Sequence, residues 1–505
     1  MKRIFFFLAL FLSVHASVLS QRVTYSEVLR EDNRNMNFEI LGNFNGNYLV
    51  YKNTQRKHRL AIYDKEMKLT NTVKLDFISE KTFNVDFITY PDYFILFYQY
   101  QKGSNIYCNA AKLDGEGKMI GQEMALDTTR ISFFADNKIY YLTNSEDKQK
   151  ILLYKMLRKN ETLALTTSLF NSSLEKIDST SNVFTYDDRR ESYGDLELDN
   201  EGTFYYTKET NRNRSDFITK LEIISHKPNS NAFMLKELPL DDKRIVSVDF
   251  KIDNLNQLIF INSFNFKKNN TNVDGLFTAV LNKSDLSERQ RAYNLFNDSL
   301  RSRLTNSGDW RTAYDNFYIK NVVLKKDSGI LITMEDYYSQ NRGLNNRFNR
   351  YFYDPFYYSS PNYYRFQRSY SSYYWNDPYR NTDRDIVYNY NDLLIFNFSK
   401  NLKVDWSNVI NKKQSDVETD NFLSFATMNM GSEIHYFFVD KNKQVINDFA
   451  LQPNGEIKRY ATIKSGELGY TFMPRLLKQV SSRQVIVPCI FRNFIGFAKI
   501  DFSNN

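Results

Sequence analysis

Beyond residue 20 the chain has three histidines, His58, His226 and His435, and they fall in widely separated stretches. Imidazole is the side chain that changes charge near neutral pH, so it is the first place to look for a base or a metal ligand. These three reach no common site without the fold, and each reads as a surface or strand-end residue. No HExxH, GxSxG, Walker loop or paired CxxC occurs. The stretch DLELDNEG, Asp195 to Gly202, begins like an EF-hand loop. Counted from Asp195, however, Asn200 occupies the position that needs Gly, and counted from Glu197, Lys208 replaces the closing Glu. A hairpin turn accounts for Asp199 and Gly202 without a metal. Glycoside cleavage needs two carboxylates about 5 to 9 Å apart. Glu335 with Asp336 and Asp383 with Asp385 are possible pairs, but abundant carboxylates read first as solvated rim charges. No catalytic residue, metal ligand or cofactor-binding residue is assigned.

A different chemistry is concentrated in YFYDPFYYSSPNYYRFQRSYSSYYWNDPYR, Tyr351 to Arg380, where aromatic rings alternate with Ser, Asn, Arg and Pro. Tyr and Arg supply large, partly apolar area with polar tips and are enriched where partners dock. The candidate binding residues are Tyr357, Tyr358, Tyr363, Tyr364, Arg365, Arg368, Tyr373, Tyr374 and Trp375. Three readings stay open: an insertion with no fold of its own, a protein-contact surface, or a set of rings on which carbohydrate stacks. Arg with aromatics also suits single-stranded nucleic acid, which an exported chain seldom meets.

Export is suggested by MKRIFFFLALFLSVHASVLSQ: a Lys2-Arg3 start, an apolar run from Ile4 to Val14, and small residues at Ala16 and Ser20. Cleavage before Gln21 or Ser17 would leave a periplasmic or extracellular chain, and no cysteine stands there to take a lipid anchor. The apolar run is short for a membrane span, and no later segment approaches the roughly 20 residues that a helix needs. Net charge of +8 falls by two to +6 without Lys2 and Arg3, too dilute over 505 residues for a nucleic-acid face. Cys108 and Cys489 sit in apolar runs and read as two separate buried thiols.

The elements that position such residues come from a repeat. LELDNEGTFYYT, Leu196 to Thr207, is an alternating run, a polar turn and an aromatic run. The grammar recurs in LGNFNGNYLVYK, ITYPDYFILFYQ, SFFADNKIYYLT, FKIDNLNQLIFINS, VVLKKDSGILITME, TMNMGSEIHYFFVD and LKQVSSRQVIVPCI. A second hairpin follows most of these, as in LAIYDKEMKLTNTVKLDF, ILLYKMLRKNETLALTTSLF and LLIFNFSKNLKVDWSNVI. Units of about four strands, roughly 45 to 70 residues apart, predict an all-β chain folded as a β-propeller of eight blades, with seven as the alternative. One longer interval holds a Tyr-rich insertion, Ser339 to Tyr390, between the second and third strands of the sixth blade. Arg22 to Leu29 is expected to complete the last blade and remove an open edge. Runs such as YFILFY and QLIFI are apolar at consecutive positions, as strands buried on both faces must be. Outer runs such as TNTVKLDF alternate.

The arrangement resembles secreted bacterial β-propellers in general, loosely the quinoprotein-type repeats in which a polar turn precedes a strand carrying Trp, here Trp406. Other units lack that Trp and the Gly-His and Trp-Asp pairs of WD40 repeats. The resemblance therefore implies architecture and no cofactor or activity. Together these features point to one exported propeller domain over residues 21–505, a non-catalytic binding or scaffold module of the bacterial cell envelope. Its partner would be an envelope protein or glycan, met through the insertion-bearing face. A polysaccharide hydrolase or lyase with carboxylates near the propeller axis is the alternative. An outer-membrane barrel would need strands apolar on one face only, against the two-sided runs.

Overall fold

The recurring apolar run, polar turn and apolar run fold as antiparallel sheet along the whole chain. The computed structural model describes residues 21–27, 36–131, 138–159, 161–187, 189–211, 217–266, 272–305, 313–341, 386–417, 419–439, 443–465, 469–492 and 494–503. Among them the strands form seven hydrogen-bonded sheets, and the α-helical residues are Asp298–Arg301. The first sheet is a meander of Met36–Phe44, Asn47–Thr54, Lys57–Tyr63 and Leu69–Lys74. The same order of four recurs over residues 82–130, 141–185, 317–410, and 426–459. The nine-stranded sheet of residues 191–295 consists of two such meanders joined by one residue pair, Ile218 opposite Ile245. The last sheet takes Arg22–Tyr25 as its outer strand, with Arg22 opposite Asp501 and Tyr25 opposite Ala498. Ser26 extends the contact, its N–H donating to the Phe497 carbonyl at 2.8 Å and its Oγ accepting from Phe497 N–H at 2.9 Å.

A four-stranded meander has two apolar faces, and neither survives in water. Alternate residues of Tyr93–Lys102 serve two different clusters. Phe94, Leu96 and Tyr98 pack against Leu49, Tyr51 and Leu60 of the preceding sheet, whereas Ile95 and Phe97 meet Ile151 and Leu153 of the following one. Every residue of Leu258–Phe266 is buried for the same reason. By contrast, outer strand Lys176–Thr185 alternates exposed with half-buried positions. The first sheet also packs on the last, through Met36, Phe38 and Ile40 against Ile486, Ile495 and Phe497.

The turns between third and fourth strands share a device that composition hides. Asp64 Oδ1 accepts the N–H groups of Glu66 and Lys68, and Asp114 and Asn171 do the same for their turns. The residue that takes left-handed φ is Met67 (58°), Leu174 (65°), Leu286 (57°) or Leu402 (56°) in four of these turns. Non-glycine residues pay about 1–2 kcal/mol there. All four are buried, and each joins the core beside its turn. Burying such a side chain contributes about 1.5–3 kcal/mol, which offsets the strain. Gly455 occupies the equivalent place at φ +88°, where a Cβ would lie 2.5 Å from the Trp406 ring. Gly455→Ala is therefore expected to lower stability by about 2–4 kcal/mol in urea titrations, from backbone strain plus overpacking; a loss under 1 kcal/mol would mean that Trp406 yields freely.

Several expectations need correction. The hairpin read at SFFADNKIYYLT is shifted: its first strand is Tyr141–Asn144, and residues 132–137 lie outside the described residues. ILLYKMLRKNETLALTTSLF supplies the second and third strands, Lys150–Lys159 and Thr162–Asn171, and Lys176–Thr185 is the fourth. That outer strand is mostly Ser, Thr and Asn and carries little hydrophobic signal, so the pattern slipped by one strand. Among the described residues the N-terminal strand covers Arg22–Tyr25, and Val28 and Leu29 of the expected Arg22–Leu29 run lie outside them. Strand pairing also trims the insertion, since Ser339 pairs with Tyr388, Gln340 with Val387 and Asn341 with Ile386. Cys108 and Cys489 are separate buried thiols, as expected, and burial raises both thiol pKa values.

Candidate functional site

The nine Tyr, Arg and Trp residues assigned to binding, Tyr357 to Trp375, lie outside the described residues, as do Asp383 and Asp385. Their point of attachment is described. Ile330–Asn341 and Ile386–Phe398 form a long ladder, and Gln414–Val417 pairs with Val387–Tyr390 on its other side. The insertion thus springs from a three-stranded ribbon, between the second and third strands of its sheet as expected. The Tyr390 ring lies 4.5 Å from that of Tyr337 and is tilted against it, Tyr337 meets Tyr318 at 5.7 Å, and Leu423 closes this small apolar cluster.

Beneath the ribbon lies a buried polar network. Lys412 Nζ stands 2.7 Å from Glu335 Oε1, with neither side chain exposed. Ser424 Oγ donates to Glu335 Oε2 at 2.6 Å, and Lys412 Nζ donates to Gln414 Oε1 at 2.8 Å. Asn391 donates to Asp336 Oδ2 at 3.0 Å. Asp392 accepts from Thr305 N at 2.6 Å, from Thr305 Oγ1 at 2.8 Å and from Lys412 N at 3.2 Å. Tyr390 OH donates to Asp420 Oδ2 at 2.8 Å, and the Arg475 guanidinium grips the same carboxylate at 2.5 and 3.2 Å. Burial alone would raise the Asp420 pKa; the Arg475 charge and the hydrogen bonds win and hold it below the usual carboxylate range. Glu335 and Asp336 are thus not the solvated rim charges expected of them, because the neighbouring connections fold over them. Lys412, Asp420 and Arg475 left no mark in the sequence, since their partners sit on different strands. The only visible hint was an acidic pair inside the apolar run GILITMEDYY.

A second collection of charge lies on the first strands of the sheets, which run side by side: Met36–Phe44 lies against Thr82–Thr89 and Lys478–Ser481, and Glu197–Leu198 against Arg244–Asp253. Glu39 is 3% exposed, and Oε2 has no hydrogen-bond partner. Burial pushes its pKa up to about 8, with Asp86 adding and Lys478 and Lys138 opposing. Asp86 pairs with Lys138 at 2.9 Å and accepts from Asn84 at 2.7 Å. Burial likewise raises Asp195, Glu197 and Asp249.

The histidines sit at strand ends as expected, but all three are buried rather than on the surface. His58 bonds Tyr51 OH at 2.6 Å, and burial lowers its pKa to about 4. His435 lies between Asp448 (2.6 Å) and Glu433 (2.9 Å) and stacks on Tyr460. Asp199 is consumed by its hairpin turn, accepting from Glu201 N and Thr203 N, with Lys283 3.3 Å away.

No protein-family model and no curated protein matches the chain. Among solved structures it is similar to the WD40 domain of SCAP from fission yeast, at 7% identity over 95% of this chain and 98% of that one, with a TM-score of 0.37. It is similar to apo prolyl oligopeptidase B from Galerina marginata at 8% identity and TM-score 0.40, covering 91% of this chain and 56% of that one, so it spans about half of that protein. A third likeness is to polysaccharide lyase Uly1, at 8% identity over 82% and 89% of the two chains, with a TM-score of 0.35. These likenesses assign no activity to the chain.

Proposed function

We propose that the chain is an exported, non-catalytic β-propeller of eight blades that binds an envelope protein or glycan through its insertion-bearing face. The ring reading is supported by eight core clusters that each join consecutive meanders, the last of them joining the final sheet to the first. The pairing of Arg22–Tyr25 with the final strand supports closure at the chain ends. Deleting residues 21–27 should then cost about 4–6 kcal/mol from lost ladder bonds and the contacts of Val23 and Tyr25. Adding that strand back as a peptide should recover the loss in thermal melts; an unchanged melt without it would reject the closure.

The observation that supports the binding reading is the root: a three-stranded ribbon tied by the Glu335–Lys412 and Asp420–Arg475 pairs stands at both ends of the segment whose sequence holds Tyr357, Tyr358, Tyr363, Tyr364, Arg365, Arg368, Tyr373, Tyr374 and Trp375. A contact surface needs such an anchor, because ordering a free loop costs affinity. Replacing residues 342–385 with a short Gly-Ser link is expected to leave the melting temperature within a few degrees and to abolish sedimentation with purified envelope glycan and cross-linking to envelope protein. Full retention of both would refute the assignment.

A polysaccharide hydrolase or lyase is the second reading, favoured by the raised carboxyl pKa values of Glu39, Glu197 and Asp249 on first strands and of Asp195 just before one of them. Glu197→Gln abolishing release of new sugar ends from an acidic polysaccharide would support it; absence of release by the unaltered chain would remove it.

A further inference from the structure

Among the described residues, Lys412 and Glu335 form an ion pair in which neither side chain shows any exposure. Although Nζ lies 2.7 Å from Glu335 Oε1, that oxygen receives no directed hydrogen bond. The other oxygen, Oε2, accepts from Ser424 Oγ at 2.6 Å. Gln414 holds the amine from the far side at 2.8 Å and is itself fixed, accepting from Ser424 N at 2.9 Å and donating to the Val439 carbonyl at 2.5 Å. Burial lowers the Lys412 pKa, with Glu335 the main opposing charge and Asp336 and Asp392 behind it. The neutral amine is the form that attacks a carbonyl carbon, and the burial of Lys412 favours that form.

The geometry points to an intramolecular isopeptide bond between Lys412 Nζ and the Glu335 side-chain carbonyl carbon. The step balances without an added reagent. One proton passes from Nζ to Oε1, and the nitrogen lone pair then attacks the carbon. Charge develops on Oε2, where the Ser424 hydroxyl already donates. On collapse the bond from carbon to Oε1 breaks, and Oε1 leaves with a second nitrogen proton as one water. The product ties strand Ile330–Asn341 to the segment that enters Gln414–Val417, directly under the insertion root. A cross-link between residues so far apart in sequence restricts the unfolded chain strongly. This goes beyond the binding reading and does not depend on it.

Intact-mass measurement of the denatured full chain decides the matter. The expected mass is lighter than the linear chain by one water, with the tryptic peptides containing Glu335 and Lys412 recovered as one branched species. Lys412→Arg should restore the linear mass, and Ser424→Ala should give a mixture. A linear mass in the unaltered chain overturns the proposal whatever the variants do. So does loss of one ammonia without the branched peptide, as N-terminal Gln21 cyclisation or transfer to Gln414 would produce.

Discussion

Glu39→Gln should stabilise the protein at pH 9 by several kcal/mol and change little at pH 4. Glu39 is almost wholly buried on strand Met36–Phe44, and burial, with Asp86 adding, pushes its pKa from 4.5 to about 8. A folded-state value above the unfolded one means that the stabilising contribution is fully present below pH 4.5 and is lost as pH rises through about 8. At ~1.4 kcal/mol per pH unit the interval is worth roughly 5 kcal/mol, an upper figure because water entering the site relaxes it. Glutamine keeps the shape and carries no charge to desolvate. Urea titrations of both proteins at pH 4, 6 and 9 measure the difference. Parallel pH profiles would show that Glu39 reaches water or a partner in solution.

The second large effect lies at the insertion root. Asp420→Ala strips the half-buried Arg475 guanidinium of its bidentate partner and leaves Tyr390 OH without its acceptor. Removing one member of a buried pair costs about 3–5 kcal/mol, because the remaining charge stays out of water. Replacing the pair by Asp420→Leu with Arg475→Met should cost much less, for the same reason. The double substitution also separates stability from function: if the root positions the Tyr-rich segment by its polar geometry, glycan sedimentation falls while the melt recovers. Equal losses for the single and double variants would show that packing, not charge, holds the ribbon.

Both predictions concern residues that reading along the chain treated as ordinary. Glu39 stands in MNFEILGNF, where an acidic residue between apolar ones is what any half-solvated strand would show. Its burial follows from the neighbouring first strands, which no local pattern reports. The same holds for Lys412, buried in the connection NKK, a string that reads as solvated turn until the segment containing Ser424 and the strand containing Glu335 close over it.

Strand type was legible because it depends on period and side-chain class. Runs apolar at consecutive positions, such as YFILFY, became strands buried on both faces, and the alternating outer run TNTVKLDF lies in and after the mostly exposed strand Leu69–Lys74. The one slip, at residues 132–185, came where a polar outer strand carried no apolar signal to count.

What the order of residues determined unaided was therefore local: which segments extend, where they turn, that both faces of the middle strands must be covered, and that a Tyr-rich stretch interrupts one unit. Tertiary structure alone decided which charges lost their water. Desolvation depends on every chain segment within a few ångströms, and for Glu39, Glu335, Lys412 and Asp420 those segments come from distant parts of the sequence.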